Sequence, residues 1–183
     1  MVDLTVENLV CDTDLRREID LKVVAEGIIG VEYDPKSFPG AIYRIREPQV
    51  TLLIFSSGKV VCTGANSVEN VKTAVSKLLE KLDGVGLAVE GEPLMKLQNI
   101  VASANIGFRI DLDKLAIECF NVEYEPEQFP GLVLRLEDPK TSILIFSTGK
   151  MVITGAKNME DAIKAAQTAE EMIKNNDAQI HSQ

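Results

Sequence analysis

The sequence predicts an α+β fold built from two copies of one strand-helix-four-strand-helix unit. The observations behind this prediction are an internal repeat, closely spaced β-rich segments, and an amphipathic helix near the end of each copy. When the 183-residue sequence is shifted by 91 positions, 25 of the 58 residues from Asn8 to Ala65 are identical to those of 99–156, without a gap. Two copies are too few for a solenoid. We therefore expect an intramolecular pseudo-dimer, with one domain over 1–91 and a second over 92–183 that ends in a short polar tail at 175–183.

Each copy begins with a strand and a short helix. Residues 4–10 alternate between apolar and polar side chains, which indicates a strand. Asp20 can cap a helix that runs to about Gly27. The predicted segments that follow are a short strand over 31–33, a loop marked by Pro35 and by Pro39-Gly40, and strands over 41–45, 50–56 and 60–63.

A long amphipathic helix closes each copy. Ser67 is a favourable N-cap, and Glu69 in the first turn complements the helix dipole. Apolar residues then recur at spacings near 3.6: Val68, Val71, Val75, Leu78, Leu79 and Leu82. In the second copy Asn158 is the expected cap, and the corresponding apolar residues are Met159, Ile163, Ala166 and Ile173.

The central strands are apolar on both faces, which is unusual for a sheet that has helices on one side. The period of two places Leu52, Ile54, Val60 and Cys62 on one face, and Leu53, Phe55, Val61 and Thr63 on the other. The two helices of one copy can cover only one of these faces. The second face either stacks against the sheet of the other copy or is an interaction surface.

Composition predicts a globular protein from a reducing compartment. Hydrophobic residues make up 45% of the chain, yet no apolar run approaches the roughly 20 residues of a membrane-spanning helix. Residues 1–5 lack the charged and apolar regions of a signal peptide. Cys11, Cys62 and Cys119 are odd in number and lack ligand spacing, so we expect buried thiols.

The residue types argue against catalysis. The one histidine, His181, lies in the predicted tail, which excludes a Ser-His-Asp triad and a histidine-based metal site in the folded body. We therefore expect no enzyme activity, no cofactor and no metal. The net charge of −9 argues against nucleic acid when read alone. It does not decide the matter, because the local field at the binding face determines which ligand is attracted.

The recurring strings resemble a known family. Phe38-Pro39-Gly40 recurs unchanged 91 residues later, and the segments 44–48 and 53–59 and Cys62-Thr-Gly-Ala recur at the same offset with substitutions. In this order they are similar to the TATA-binding protein family of archaea and eukaryotes, and the resemblance covers about residues 5–175. It implies one saddle-shaped, curved ten-stranded antiparallel sheet, with four helices on the convex side and DNA on the concave side. The resemblance thus favours the interaction surface over stacked sheets.

The resemblance also implies which residues contact DNA. Apolar wedges that unstack base steps kink the duplex, a binding mode for which this family is itself the type example. The implied wedges are Phe38, Phe55, Phe129 and Phe146. The implied hydrogen-bonding residues at the centre of the site are Asn8, Thr63, Asn99 and Thr154. The implied apolar contacts with the minor-groove floor are Val10, Leu53, Val61, Val101, Leu144 and Val152. The implied phosphate contacts, which position the protein without reading sequence, are Arg44, Ser57, Lys59, Arg135, Lys140 and Lys150.

The two copies differ in charge. Gln49 and Asn66 stand where the second copy has Lys140 and Lys157, and Ser37 stands where many relatives have a basic residue. We therefore expect the first copy to hold phosphate less tightly.

The loop before the second wedge contains Glu123, Glu125 and Glu127, whereas the matching loop contains two acids and a lysine. This acidic loop is either simply solvated or a docking site for a basic partner. The resemblance implies that the partner is a transcription factor B homologue, which recruits RNA polymerase.

The expected function is that of a basal transcription factor. It would bind A/T-rich promoter DNA (the TATA box) in the minor groove, bend it, and nucleate the preinitiation complex. The alternative is a protein-interaction module that uses the apolar face for partner binding, or for a homodimer when DNA is absent. Phe-Pro-Gly in both loops and the acidic composition favour an archaeal source. This implies a cytoplasmic location, at the nucleoid, rather than the nucleus expected of a eukaryotic protein.

Overall fold

The computed structural model describes residues 2–181, which fold into two compact units. One unit comprises residues 8–98, and the other comprises residues 2–7 together with residues 99–181. The start of the chain thus belongs to the unit that holds most of the second repeat. Leu4 packs on the core of that unit, and Met95, its equivalent 91 residues later, packs on the core of residues 8–98.

The first repeat has the predicted order of strand, helix, four strands and helix, and the second repeat adds two short strands, one before its first helix and one after its last. In the first repeat the elements are β1 (Leu4–Asp14), α1 (Leu21–Gly27), β2 (Val31–Glu32), β3 (Ala41–Ile45), β4 (Val50–Ile54), β5 (Lys59–Ala65) and α2 (Val68–Gly84). The second repeat contains β6 (Leu94–Asn105), β7 (Arg109–Ile110), α3 (Leu112–Glu118), β8 (Val122–Glu123), β9 (Leu132–Glu137), β10 (Lys140–Ile145), β11 (Lys150–Ala156), α4 (Met159–Asn175) and β12 (Gln179–Ile180).

Ten of these strands form one sheet, as the resemblance implied. Their order is β2-β3-β4-β5-β1-β6-β11-β10-β9-β8, and the strand pairs within each unit are antiparallel. Strands β7 and β12 form a separate two-stranded sheet that the sequence did not predict. Part of the predicted polar tail is therefore ordered structure, and Ala178 within it is buried. Residues 182–183 of that tail lie outside the described residues.

The predicted helix caps are confirmed. The side chain of Asp20 accepts a hydrogen bond from the backbone N–H of Lys22, and Asn158 accepts one from Asp161. The side chain of Ser67 likewise accepts from Asn70. Strand β1 is longer than predicted, because the alternation of buried and partly exposed residues continues past Val10 to Asp14.

The core of each unit lies between the sheet and its helices. Leu52, Ile54, Val60 and Cys62 are completely buried, whereas Leu53, Phe55, Val61 and Thr63 remain partly exposed. The predicted assignment of strand residues to two faces is therefore confirmed.

The long helices pack partly as expected. In α2 the residues Val71, Val75, Leu78 and Leu82 are buried, but Val68 is exposed. In α4 the stripe that faces the core consists mainly of alanines, from Ala162 to Ala169, and of Ile173. The expected stripe positions Met159 and Ile163 are exposed. The residues that α4 buries are therefore mostly smaller than those of α2, and Met159 and Ile163 lie outside the buried stripe.

The thiols are buried to different degrees. Cys11 and Cys62 are cross-strand partners in β1 and β5, and both lie in the core. Burial raises the pKa of the Cys62 thiol to about 11 and also raises that of Cys11. Cys119 is only partly buried, so the prediction of buried thiols holds for two of the three. Among residues 2–181 no helix is both long and apolar enough to cross a membrane.

Candidate nucleic-acid interface

The face of the sheet opposite the helices is the candidate interface. In the unit of residues 8–98, Leu53 is the cross-strand partner of Val61, and Thr51 is the partner of Thr63. In the other unit Leu144 pairs with Val152, and Ser142 pairs with Thr154. Cross-strand partners share a face, and all eight side chains are partly exposed. Val10 and Val101 are likewise partly exposed on β1 and β6, so each unit presents a short apolar floor with hydroxyl groups at one end.

The four predicted wedges form two matching ring pairs, one in each unit. Phe38 and Phe55 meet edge to face with 5.8 Å between ring centroids and 64° between planes. Phe129 and Phe146 meet in the same way at 5.9 Å and 69°. All four rings keep exposed surface, and Phe129 is 40% exposed. Each pair therefore presents aromatic edges to solvent at the end of a strand.

The glycine of each Phe-Pro-Gly sequence makes room for its ring pair. A Cβ built on Gly131 would lie 2.8 Å from Cε1 of Phe129 and 3.0 Å from Cε1 of Phe146. At Gly40 the corresponding distances to Phe38 and Phe55 are 2.9 and 3.1 Å. Real Cβ atoms essentially never lie closer than 3.0 Å to another heavy atom. Any larger residue at these two positions would push the rings apart.

The two asparagines are held with their amide oxygens facing the protein. The side-chain oxygen of Asn8 accepts a 2.7 Å hydrogen bond from the backbone N–H of Gly64, and Asn99 accepts the same bond from Gly155. Both glycines have φ near +90°, at a β-bulge that interrupts the register with the neighbouring strand. Because the amide oxygen is engaged, the NH₂ group is the part of each side chain that can donate to a ligand.

The same arrangement positions the two threonines. Thr63 and Thr154 precede the bulge glycines, and the amide nitrogen of Asn99 donates to Oγ1 of Thr154 at 3.4 Å. In the second repeat an amide and a hydroxyl thus meet beside the apolar floor, and Asn8 and Thr63 occupy the equivalent positions in the first repeat. Within residues 2–181 no buried side-chain nitrogen or oxygen lacks a hydrogen-bond partner.

The predicted phosphate contacts form two groups. Arg44 and Arg135 are already paired: Nη1 of Arg44 lies 3.0 Å from Oε2 of Glu32, and Nη1 of Arg135 lies 2.5 Å from Oε1 of Glu123. The lysines Lys59, Lys140 and Lys150 are exposed and form no ion pair within the described residues. Ser57 is exposed in the β4–β5 turn, where its hydroxyl accepts from the N–H of Lys59.

The charge difference between the repeats extends onto the sheet face. Lys150 is the cross-strand partner of the neutral Asn105, whereas Lys59 is the partner of Asp14. A groove on the unit of the second repeat is lined by Arg135, Lys140 and Lys157, together with the acids Glu137 and Asp161. At the compared positions the second repeat carries more cations than the first, which has Gln49 and Asn66 in place of Lys140 and Lys157.

Sequence reasoning missed two polar pairs. The hydroxyl of Ser103 donates to Oε1 of Glu7 at 2.6 Å, and the amide of Gln98 donates to Oδ2 of Asp12 at 2.9 Å. The 91-residue offset relates Glu7 to Gln98 and Asp12 to Ser103. The two pairs are therefore equivalent, but their contacts depend on β1 lying next to β6 in the sheet, which comparison of the repeats alone does not reveal.

The acidic loops differ in how their carboxylates are used. In the first repeat the Asp34 carboxylate accepts from the Lys36 N–H and from the Ser37 hydroxyl. In the second repeat Glu125 and Glu127 are exposed, and no hydrogen bond to their carboxylates occurs within residues 2–181. The second loop therefore leaves more free negative charge on the surface.

No metal-binding arrangement is present in the described part of the chain, where no three His, Cys, Asp or Glu side chains are grouped suitably. The interface consists of apolar side chains, aromatic rings, hydrogen-bond donors and cations. These groups suit the binding of a polyanion, and the described residues of the interface include no nucleophile paired with a base.

Comparison with known proteins assigns the family. The family model described as "Transcription factor TFIID (or TATA-binding protein, TBP)" matches residues 3–85 and again 94–176. The chain is 47% identical to the TATA-box-binding protein of Archaeoglobus fulgidus over 93% of this chain and 94% of that protein. It is 42% identical to TATA-box-binding protein 1 of Methanosarcina acetivorans over 94% and 95%. The solved structure "Methanococcus jannaschii TBP" superposes with a TM-score of 0.90 at 46% identity, covering 94% of this chain and 99% of that one. The chain therefore belongs to the TATA-binding protein family of DNA-binding transcription factors, and its relatives named here are archaeal.

Proposed function

We propose that this protein binds A/T-rich promoter DNA through the minor groove, kinks it with its phenylalanine pairs, and so begins assembly of the transcription preinitiation complex. The observation that carries this proposal is the uncovered apolar sheet face, which has one exposed ring pair and one asparagine–threonine group in each unit. The duplicated face suits a ligand that has approximate two-fold symmetry, as a DNA duplex does.

The chemistry of the face favours A·T base pairs. In the minor groove A·T pairs present only the acceptors adenine N3 and thymine O2, whereas G·C pairs add a protruding amine. The amides of Asn8 and Asn99 and the hydroxyls of Thr63 and Thr154 supply donors for those acceptors. The apolar floor of valines and leucines can pack against the floor of a minor groove from which no amine protrudes.

The ring pairs supply the kink. Apolar side chains inserted between base steps unstack them at a cost of a few kcal/mol and bend the duplex, and the TATA-binding protein is itself the reference case for this mode. Phe129 and Phe146 would enter at one end of the site, and Phe38 and Phe55 at the other. Arg44, Arg135 and the three lysines at 59, 140 and 150, with the Ser57 hydroxyl, would contact phosphates beside the kinks.

The acidic second loop is the proposed docking site for a basic partner, a transcription factor B homologue that brings RNA polymerase. The support is that Glu125 and Glu127 are exposed, whereas the Asp34 carboxylate is engaged within its own loop. Because the partner would bind only one repeat, it would give direction to a nearly symmetric complex.

The test is a titration of two labelled duplexes of equal length, one A/T-rich and one G/C-rich, with energy-transfer dyes at their ends. We expect tighter binding to the A/T-rich duplex, a rise in transfer on binding, and a steep loss of affinity with salt because phosphate contacts release counterions. Unchanged transfer at saturation would exclude bending. If the apolar face instead serves protein association or a homodimer, association should persist or strengthen at high salt.

A further inference from the structure

The ion pairs of Arg44 and Arg135 occupy equivalent positions at the edges of the sheet. In each repeat, a glutamate on the outermost strand of the sheet pairs with an arginine on the next strand: Glu32 with Arg44, and Glu123 with Arg135. Glu32 is the cross-strand partner of Ile42, and Glu123 is the partner of Val133. The arginine is two residues beyond that partner in both cases, so it lies on the same face as the glutamate.

That face is the proposed DNA-binding face. Ile42 is the cross-strand partner of Leu53, and Val133 is the partner of Leu144, which places each ion pair at the outer edge of an apolar floor. The side chains are half to two-thirds exposed, at 58% for Arg44 and 66% for Glu32 and similarly for the other pair. Both groups are therefore within reach of a phosphate that follows the edge of the sheet.

We propose that Glu32 and Glu123 set the DNA affinity by competing with phosphate for Arg44 and Arg135. This inference rests on the proposed DNA-binding function. In the free protein each carboxylate neutralises its arginine. On binding, the guanidinium turns to a phosphate, the ion pair is lost, and the free energy of that pair is subtracted from the binding free energy.

The competition also changes the second acidic loop. When Arg135 turns to phosphate, the Glu123 carboxylate loses its intramolecular partner and joins Glu125 and Glu127 as free negative charge. The DNA-bound form would thus offer one more acid to a basic partner than the free protein does. In the first repeat the Glu32 carboxylate is released as well, but beside Asp34, whose carboxylate is already engaged.

The test is a double-mutant cycle on DNA affinity with variants E123Q, R135Q and E123Q/R135Q. Exposed ion pairs contribute about 0.2–1 kcal/mol, which corresponds to a factor of about 1.5 to 5. We expect E123Q to raise the affinity for an A/T-rich duplex by that factor, and to have almost no effect when R135Q is present. E32Q should act in the same way in the first repeat, and the two effects should multiply in E32Q/E123Q.

The matched control is E125Q. It removes one negative charge, as E123Q does, from a glutamate two residues away that forms no ion pair within the described residues. General repulsion between protein and DNA would make E123Q and E125Q equal, and that outcome would overturn the proposal. A fall in affinity with E123Q would overturn it too, because the glutamate would then be orienting its arginine toward phosphate. Failure of the unaltered protein to bind A/T-rich DNA would instead refute the proposed function, so the two failures can be told apart.

Discussion

Replacement of Gly131 by alanine tests whether the aromatic pair in the second repeat has to keep its arrangement for DNA binding. The added methyl carbon would lie 2.8 Å from Cε1 of Phe129, whereas ordinary contact begins at 3.4 Å. The Phe129 ring would have to move by about 0.6 Å, the difference between these distances, to restore ordinary contact. The Phe146 ring, at 3.0 Å, must move as well.

The cost to the fold should be small. Phe129 is 40% exposed, so its ring has space to turn. The largest expected loss is the edge-to-face contact between the rings, which is worth about 0.5–1.5 kcal/mol. The cost to DNA binding should be larger, because stacking of an aromatic ring on a base contributes about 1–3 kcal/mol. We therefore expect Gly131→Ala to weaken DNA binding by about 5- to 150-fold.

The assay combines fluorescence anisotropy with a labelled A/T-rich duplex and chemical unfolding of the same samples. Gly84→Ala is the matched control, because a Cβ at that position in α2 meets no atom within 4 Å. Its DNA affinity should equal that of the unaltered protein. Unchanged affinity of Gly131→Ala, or an equal loss in Gly84→Ala, would refute the reasoning about the ring pair.

Three further predictions concern the rings, the acidic loops and the thiols. Phe55→Ala and Phe146→Ala should lower the free energy of unfolding by about 1 kcal/mol while weakening DNA binding. By contrast, alanine at the buried neighbours Ile54 and Ile145 should cost about 2–5 kcal/mol, and calorimetry would separate the two classes. Charge reversal of Glu123, Glu125 and Glu127 should abolish recruitment of the factor B homologue to a preformed DNA complex in a gel shift, whereas reversal of Glu32 and Asp34 should not; equal losses would contradict the assigned polarity. At pH 8 an alkylating reagent should modify Cys119 before Cys11 and Cys62. Burial raises the folded-state pKa of Cys62 from 9.0 to about 11. The buried thiol therefore favours the folded state below pH 9, and the free energy of unfolding should fall as pH rises from 9 toward 11.

The sequence predicted the architecture of one repeat because the alternation and capping patterns that mark its strands and helices are local and occur in both copies. Alternation between Leu52 and Thr63 assigned eight strand residues to the correct faces, and three side-chain caps marked helix starts. Strands β7 and β12 could not be predicted, because their pairing joins Ile110 to Gln179, which are far apart in the chain, and the first repeat has no matching strands. The packing of Leu4 on the unit of the second repeat could not be predicted either, because the alternation in β1 is compatible with packing on the core of either unit.

The candidate site was predictable as a set of residues but not as an arrangement. The 91-residue offset and the family resemblance selected the phenylalanines, asparagines and cations. Their partners depend on strand register, which joins residues that are far apart in the chain. Gly64, for example, is 56 residues from Asn8. The pairing of Glu123 with Arg135 likewise required the register of β8 and β9, and it links two residues to which the sequence had assigned separate roles.

The most direct test of minor-groove binding is a duplex in which the A·T pairs of the site are replaced by inosine·cytosine. Such pairs resemble G·C in the major groove but lack the amine in the minor groove, where they present acceptors as A·T does. A protein that binds through the proposed sheet face should bind the A·T and inosine·cytosine duplexes with similar affinity, and the G·C duplex far more weakly. Binding of the inosine·cytosine duplex at only the level of G·C would contradict the account, because it would show that the protein reads the major groove.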